Sequence, residues 1–382
     1  MADRSAQDID RRTALAREWD ELVQQVRGLD GFEDFLRPPR LADLLPAARG
    51  GPVIILNVSR WRCDALIVTT DGVNVVELPK LTHDEVTVRV EQYLGAVGAV
   101  PDDASLKETL AWMWEAFAER VLDHLGYTSS PSGAAPWPRV WWCPTGALAL
   151  LPIHAAGRHD ADGQAVMDRV VSSYTPTLRA LLEARGGGPA RPDDRAVAGP
   201  GRVLFVGLEQ TLVEQLVPAE RRTVLSGSDA TRAAALSELV RHAWVHFGCH
   251  GDQDLDDPLR AAIHLHDGEL TVNDFPSAQY RGELAYLSGC RAAAGGTALP
   301  DETITLAAAL HYTGYRHVVA TLWSAGDRHA AQVAAGFYET LIGAGTFDAT
   351  GAAQSLHSAV RGLRQQYRDQ PSVWAPFAHT GP

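Results

Sequence analysis

The chain has 382 residues and a formal net charge of −13, because 34 Lys and Arg residues face 47 Asp and Glu residues. This charge argues against binding to nucleic acid or to an anionic membrane surface. Hydrophobic residues make up 46% and charged residues 21% of the chain, a balance that excludes a disordered or coiled-coil protein. At about 100 to 200 residues per domain, the length predicts two packed units or one large one.

The cysteine content is low. Four cysteines, at Cys63, Cys143, Cys249 and Cys290, are too few and too irregularly spaced for a disulfide framework or a CxxC metal site. No apolar run approaches the roughly 20 residues of a membrane-spanning helix, and the first 28 residues lack the apolar core of a signal peptide. We therefore expect reduced thiols in a soluble, cytoplasmic protein without a membrane partner.

The first half of the chain begins with a helix. Apolar residues recur at helical spacing within residues 8–26, which predicts an amphipathic helix in an N-terminal helical segment, residues 1–50. Its apolar stripe either packs on the rest of the protein or docks a partner. Three short strands follow, at 53–58, 64–69 and 73–78, with a hairpin turn at Asp71-Gly72.

The middle of the chain contains a predicted boundary. Helical spacing from Leu106 to Leu125 and a strand at 140–142 complete a first folded half, residues 51–184. The segment "RGGGPARPDDRAVAGPGR", residues 185–202, is too rich in Gly, Pro and charge to bury a core, so we expect a flexible linker there. Because it is also arginine-rich, it is a candidate processing site.

The second half, residues 203–382, alternates strands with helices. Strands are expected at 202–206, 243–247, 283–287 and 317–322, and helices at 231–240, 302–312, 328–342 and 352–367. A hairpin is expected at 262–272, with its turn at Asp267-Gly268. This alternation predicts an α/β fold with a mostly parallel sheet and helices on both faces.

Two of these strands run into residues that can perform chemistry. One ends in Gly248-Cys249-His250-Gly251 and another in Ser288-Gly289-Cys290. Functional groups collect at the carboxyl ends of parallel strands, so an imidazole and a thiol are expected at the same sheet edge. His250 can activate Cys290 as a nucleophile, and the N–H groups of Gly251 and Cys290 can form an oxyanion hole.

Several segments together resemble a known family. They are "HFGCHG", "DGELT", "ELAYLSGCRAAAG", "DETITLAAALHYTGYRHVVATLW" and "AAGFYETL", preceded in order by "VSRWRCDALIV", "WWCPTGALALLPIHAAG" and "VSSYTPTLRALL". They resemble the CHAT domain of the caspase and separase clan of cysteine peptidases, over roughly residues 35 to 380.

The resemblance implies a caspase-like fold of two related halves, of which the first is non-catalytic and the second catalytic. It makes His250 the catalytic base and acid, Cys290 the nucleophile and Gly251 an oxyanion-hole donor. The implied reaction is hydrolysis of a peptide bond through a thioester acyl-enzyme, without a metal or an organic cofactor. The expected substrate is a specific intracellular protein or peptide, and the expected role is that of an effector in signalling, defence or programmed cell death.

The resemblance also has departures. Many CHAT proteins carry tetratricopeptide repeats, and this sequence has none, so a separately encoded regulatory or sensor protein is expected. Metacaspases, which cleave after basic residues, resemble the pattern Asp-x-Cys at the nucleophile. In this sequence Ser288 occupies the position of that Asp, so it does not support a preference for a basic residue. A carboxylate for the substrate pocket could instead come from Asp301, Glu302 or Asp327, although Asp301 and Glu302 could equally cap the following helix. Trp323 is a candidate for either the pocket wall or the core.

Two other functions stay open. The protein could be a dormant or scaffold CHAT module that a partner protein activates. It could also be a thiol- or zinc-dependent hydrolase using His246, Cys249 and His250.

The remaining Cys and His residues have simpler interpretations. Cys63, Cys143 and Cys249 are expected to be packing residues. Buried, hydrogen-bonded positions are expected for His154 and His246. His264 and His266 share one face of the hairpin without a third metal ligand, so we expect an exposed face there rather than a metal site.

Overall fold

A computed structural model describes residues 2–98, 100–133, 136–186, 199–207, 217–252, 261–275, 282–288, 306–342 and 347–382. The chain divides into two compact units, Met1–Leu44 and Leu45–Pro382. None of the described helices combines the length and the apolar content needed to cross a membrane.

The smaller unit is helical. Its long helix α1 spans Ala2–Arg27 and a short helix α2 spans Leu41–Leu44, so the predicted helix is confirmed and begins earlier than expected. Three apolar side chains of α1, Leu15, Trp19 and Leu22, are exposed.

The larger unit contains all the described strands. They are β1 (Val53–Asn57), β2 (Asp64–Thr69), β3 (Gly72–Glu77), β4 (Arg139–Pro144), β5 (Val171–Tyr174), β6 (Gly199–Gly207), β7 (Arg222–Leu225), β8 (His242–Gly248), β9 (Gly251–Asp252), β10 (Ala262–Leu265), β11 (Gly268–Thr271), β12 (Leu284–Leu287), β13 (His317–Thr321) and β14 (Phe377–Thr380).

Its helices precede, separate and follow these strands. They are α3 (His83–Ala96), α4 (Asp103–Met113), α5 (Glu119–His124), α6 (Val166–Arg169), α7 (Leu178–Ala184), α8 (Arg232–Leu239), α9 (Leu306–Tyr312), α10 (Asp327–Ile342), α11 (Ala352–Gln366) and α12 (Pro371–Trp374). The helix predicted over 106–125 is divided, because a wider helical turn at Trp114–Ala118 lies between α4 and α5.

One mixed sheet runs through the larger unit. The described strands form an eleven-stranded sheet in the order β3-β2-β1-β4-β5-β14-β13-β12-β8-β6-β7, and β11-β10-β9 form a second, three-stranded sheet. Strands β13, β12, β8, β6 and β7 are mutually parallel. The first part of the large sheet meets the last part where Tyr174 of β5 lies opposite Thr380 of β14.

The central strands are covered on both faces. All residues of β12 and β13 are buried, as expected for parallel strands between two helical layers. Alternate side chains of β12 point to opposite faces: Leu284 and Tyr286 join the core under α10 and α11, whereas Ala285 and Leu287 join the core under α8 and α9. The predicted mostly parallel sheet flanked by helices is confirmed.

The strands that the sequence did not indicate are short. Strands β5, β7 and β14 have four residues each and β9 has two, too few to show a period. Strand β6 begins at Gly199, inside the predicted linker, and residues 187–198 of that linker lie outside the described residues.

A buried ion pair ties α6 to α11. The guanidinium of Arg364 donates to both carboxylate oxygens of Asp168, at 2.7 and 3.2 Å, and the two residues are 6% and 8% exposed. Removing one partner would leave a charge in a desolvated site.

We predict that Asp168→Asn destabilises the protein by about 3 to 5 kcal/mol, because Arg364 stays buried and charged without its carboxylate. The matched control is Asp162→Asn, which breaks the exposed pair of Asp162 with Arg368 and should cost about 0 to 1 kcal/mol. Urea unfolding measures both. Replacing the buried pair by Asp168→Leu with Arg364→Met should recover much of the loss, and equal costs for the two single variants would contradict the prediction.

Several histidines are buried in the larger unit. Burial, which penalises the charged ring, lowers the pKa of His154 and His159 to about 4 and that of His317 and His357 to about 3. Burial also lowers the pKa of His311 and His379. These rings are neutral in the folded protein, whereas in the unfolded chain they bind a proton near pH 6.5.

We therefore predict that the free energy of unfolding decreases as the pH falls below about 6.5. Because the unfolded chain binds more protons below pH 6.5, stability is fully present above that pH and falls as the pH drops toward the folded pKa values, by up to about 1.4 kcal/mol per pH unit for each histidine. His357 offers a test, since its Nε2 atom is buried without a hydrogen-bond partner. His357→Leu should reduce the slope of unfolding free energy between pH 7 and 5. A slope identical to that of the wild type would refute this assignment.

Candidate active site

The pairing of β8 with β12 defines the candidate site. These adjacent strands are parallel with a constant offset of 40 residues, from Trp244 opposite Leu284 to Phe247 opposite Leu287. The Ser288 N–H extends the pairing, since it donates to the Phe247 carbonyl at 2.9 Å. Both strands therefore end at the same edge of the sheet, as predicted.

His250 lies just beyond the end of β8. Its side chain is exposed, and its carbonyl accepts a hydrogen bond from the His264 N–H of β10 at 2.9 Å. The next residue, Gly251, starts β9 and lies opposite Ile263. In an antiparallel pair with this bonding pattern, Gly251 and Ile263 do not bond to each other, so the Gly251 N–H points away from β10.

Close backbone contact fixes the approach to His250. At the end of β6, Gly207 has φ +133°, and a Cβ atom there would lie 2.3 Å from the Gly248 carbonyl oxygen. Only glycine tolerates both conditions. The Cys249 thiol donates to the Val206 carbonyl at 3.1 Å, which anchors the segment between β8 and His250 to β6.

An aromatic stack supports the two strands below the site. His246 of β8 and Tyr286 of β12 stack with ring centroids 4.8 Å apart and planes 14° apart. The His246 Nδ1 atom lies 3.1 Å from the Tyr338 hydroxyl of α10. No local pattern predicts this contact, because Tyr338 lies 92 residues from His246.

The histidines predicted to be structural are confirmed as such. His246 is fully buried, and His154 bonds through Nδ1 to the Tyr174 hydroxyl at 2.9 Å and through Nε2 to the Ala375 carbonyl at 3.1 Å. On the hairpin, where an exposed face is expected, His266 is exposed, whereas His264 is half-buried with its Nδ1 atom 3.7 Å from a Glu269 carboxylate oxygen.

The zinc alternative lacks a ligand set in the described part of the chain. No three His, Cys, Asp or Glu side chains there are grouped to hold a metal ion. His246 is enclosed between aromatic rings while Cys249 contacts a backbone carbonyl, so the two do not converge on a common metal position with His250.

The other described cysteines are packing residues, as predicted. The thiols of Cys63 and Cys143 are buried and lie 3.5 Å from the Ser59 carbonyl and 3.4 Å from the Pro176 carbonyl. Burial raises the pKa of Cys143 to about 11, which disfavours the reactive thiolate. Cys290, the predicted nucleophile, lies outside the described residues.

The predicted pocket residues are found in different environments. Ser288 is 8% exposed, and Asp327 is exposed at the start of α10. Trp323 is 1% exposed; its indole N–H donates to the Ser372 carbonyl at 3.0 Å and its ring centroid lies 5.9 Å from that of Tyr93. Of its two alternatives, the core position is the observed one. Asp301 and Glu302 lie outside the described residues.

The fold is similar to solved structures of cysteine peptidases. Two structures of the Saccharomyces cerevisiae separase–securin complex match with a TM-score of 0.59 each, at 9% and 10% identity, covering 89% of this chain and 30% of that chain. The Arg-specific cysteine proteinase gingipain R of Porphyromonas gingivalis matches with a TM-score of 0.46 at 10% identity, covering 78% of this chain and 74% of that chain. The chain thus spans less than a third of the separase chains, and the separase match shows a caspase-like fold.

Sequence comparison gives the family. No curated protein matches the chain. The family model of the CHAT domain matches residues 107–382, well over half of the sequence. The chain belongs to the CHAT domain family.

Proposed function

We propose that this protein is a cysteine endopeptidase in which Cys290 is the nucleophile and His250 is the general base and acid. The observation that carries the proposal is the parallel register of β8 and β12. His250 follows Phe247 by three residues, and Cys290 follows the paired Leu287 by three residues.

The register limits how far apart the two residues can be placed. Adjacent strands lie about 4.8 Å apart, and the two residues that follow Gly248 or Ser288 can span at most about 7 Å. In this proposal the Cys290 thiol and the His250 imidazole approach each other from these adjacent strand ends. The exposure of His250 leaves its imidazole accessible to a substrate.

The proposed reaction has two stages. His250 removes the Cys290 proton, the thiolate attacks the substrate carbonyl, and His250 returns the proton to the leaving amine, which gives a thioester. His250 then takes a proton from a water molecule that attacks the thioester, and the acid product leaves as the thiol is restored.

Backbone N–H groups stabilise the developing oxyanion in this proposal. The Gly251 N–H is not used in the pairing with β10 and sits one residue from His250. With the Cys290 N–H it supplies two donors, an arrangement whose loss typically costs about 10²-fold to 10³-fold in kcat per donor.

Substrate choice and control belong to the same proposal. A carboxylate in the pocket would come from Asp327, which is exposed at the start of α10, or from Asp301 or Glu302; Ser288 would contribute a buried hydroxyl. The similar separase structures contain securin, and we extend this to a separately encoded protein that controls the site here.

We predict that Cys290→Ala abolishes peptide cleavage and that His250→Ala lowers kcat/KM by about 10³-fold or more, since the members of a nucleophile–base pair act as a unit. Cleavage is measured on a proteome-derived peptide library by mass spectrometry of new amino termini, with and without the proteins encoded beside this one. Cys63→Ala is the matched control, because it removes a buried thiol of the first half and should retain cleavage.

Two results would contradict the proposal. One is a Cys290→Ala protein that cleaves like the wild type. The other is a wild-type protein that produces no new termini under any of these conditions, which would favour a scaffold function.

A further inference from the structure

A cavity of about 390 Å³ in the larger unit is lined by four arginines. Arg49 precedes β1, Arg139 begins β4, Arg185 follows α7 and Arg316 precedes β13. They are far apart in sequence and converge only through the fold. We call this cavity the arginine pocket.

A buried tryptophan organises two of the guanidinium groups. Trp141 is 1% exposed, and its indole N–H donates to the Gly381 carbonyl at 2.8 Å. The guanidinium carbons of Arg139 and Arg185 each lie 4.4 Å from its ring centroid. Cation–π contacts of this kind hold both groups in place without neutralising either charge.

The positive charge of the arginine pocket is not balanced by acidic side chains. Arg139 donates to the Ser173 hydroxyl at 2.6 Å and the Pro382 main-chain oxygen at 3.2 Å, Arg185 to the Ala47 carbonyl at 2.5 Å, and Arg316 to the Ala184 carbonyl at 2.8 Å. Within the described ranges, no Asp or Glu side chain forms an ion pair with any of the four arginines. The Nε atom of Arg139 is buried and has no hydrogen-bond partner.

The electrostatic cost of this arrangement is visible in two groups. Burial, with a further contribution from the charge of Arg185, lowers the pKa of Arg139 to about 10. His317 also lines the pocket, and its pKa is lowered first by burial and then by the positive charges of Arg316 and Arg139. Since the whole chain carries a charge of −13, this concentration of positive charge is local.

We propose that the arginine pocket binds a small anion that carries two or more phosphate groups. Guanidinium groups match phosphate oxygens in paired hydrogen bonds. Even if the charge of Arg139 is set aside, because its guanidinium bonds an oxygen of Pro382, the last residue of the sequence, the other three guanidiniums exceed the charge of about −1.5 to −2 that a single phosphate carries. Because Trp141 is buried against two guanidiniums, recognition rests on the phosphate groups. A free polyphosphate and a nucleoside polyphosphate share this chemistry.

The arginine pocket is separate from the candidate active site. Arg316 lies where β13 begins, whereas His250 follows the end of β8, and β8, β12 and β13 are parallel. The arginine pocket therefore lies at the amino ends of these parallel strands, and the candidate active site lies at their carboxyl ends. The ligand would contact residues both before and after the predicted linker, since Arg139 and Arg185 precede its undescribed part and Arg316 follows it.

Isothermal titration calorimetry of the full chain tests the proposal without any peptidase assay. The titrants are pyrophosphate, tripolyphosphate, ATP and sulfate, each at the same total ionic strength. We expect tripolyphosphate to bind more tightly than sulfate. In a separate urea unfolding measurement, tripolyphosphate at 100 times its Kd should raise the ratio of folded to unfolded protein about 100-fold. Tighter binding of ATP than of tripolyphosphate would support a nucleoside polyphosphate, and the reverse order would support a free polyphosphate.

Variants identify the site. The double variant Arg139→Gln with Arg185→Gln should weaken tripolyphosphate binding at least tenfold. The single variant Arg316→Gln, at an exposed residue, should also weaken binding, and it provides the test if the double variant does not fold. The matched control is Arg361→Gln, whose guanidinium carbon lies 4.5 Å from the Trp137 ring centroid outside this cavity; it should bind like the wild type. Absence of binding by all three phosphate compounds, equal affinity for sulfate, or equal weakening by Arg361→Gln would overturn the proposal.

Discussion

The parallel register between β8 and β12 is the constraint on which the candidate site depends. Side chains alternate between the two faces of a sheet, so a slip of one residue would move every side chain of β12 to the wrong face. Tyr286 would then leave its stack with His246, and Leu287 would leave the core under α8 and α9. Burial on both faces thus fixes the register, so that β8 and β12 end at the same edge of the sheet.

Contacts from distant parts of the chain keep this sheet intact. The His246 ring reaches Tyr338 of α10, and α11, packed beside α10, is tied to α6 through Arg364 and Asp168. His154 connects the region after β4 to Ala375 before β14. Residues from the first half therefore contact the second half, which contains the candidate site. This gives that half a structural role that does not require chemistry of its own.

The sequence was most informative where local signals were strong. The apolar runs of β8 and β13 and the Asp267-Gly268 turn between β10 and β11 were all predicted, since each is specified by neighbouring residues. The pairing register of β8 and β12, with its offset of 40 residues, could not be predicted, because a parallel pair has no tight turn to fix its register. Strands β5 and β14 were missed because nonlocal contacts hold them, such as the 2.9 Å bond between His379 and Ser173, 206 residues apart. The candidate residues His250 and Cys290 came from short motifs, whereas the arginine pocket had no sequence signal at all.

We propose that the register of β8 and β12 brings the His250 imidazole to the Cys290 thiol. The most direct test is the pH dependence of Cys290 alkylation by iodoacetamide, followed by peptide mass spectrometry in the wild type and in His250→Ala. The buried Cys143, whose pKa is raised to about 11, serves as a slow internal reference in the same digest. The account predicts that wild-type Cys290 reacts as a thiolate well below the ordinary cysteine pKa of about 8.5 and that His250→Ala shifts the profile up to that value. Superimposable profiles for the two proteins would contradict it.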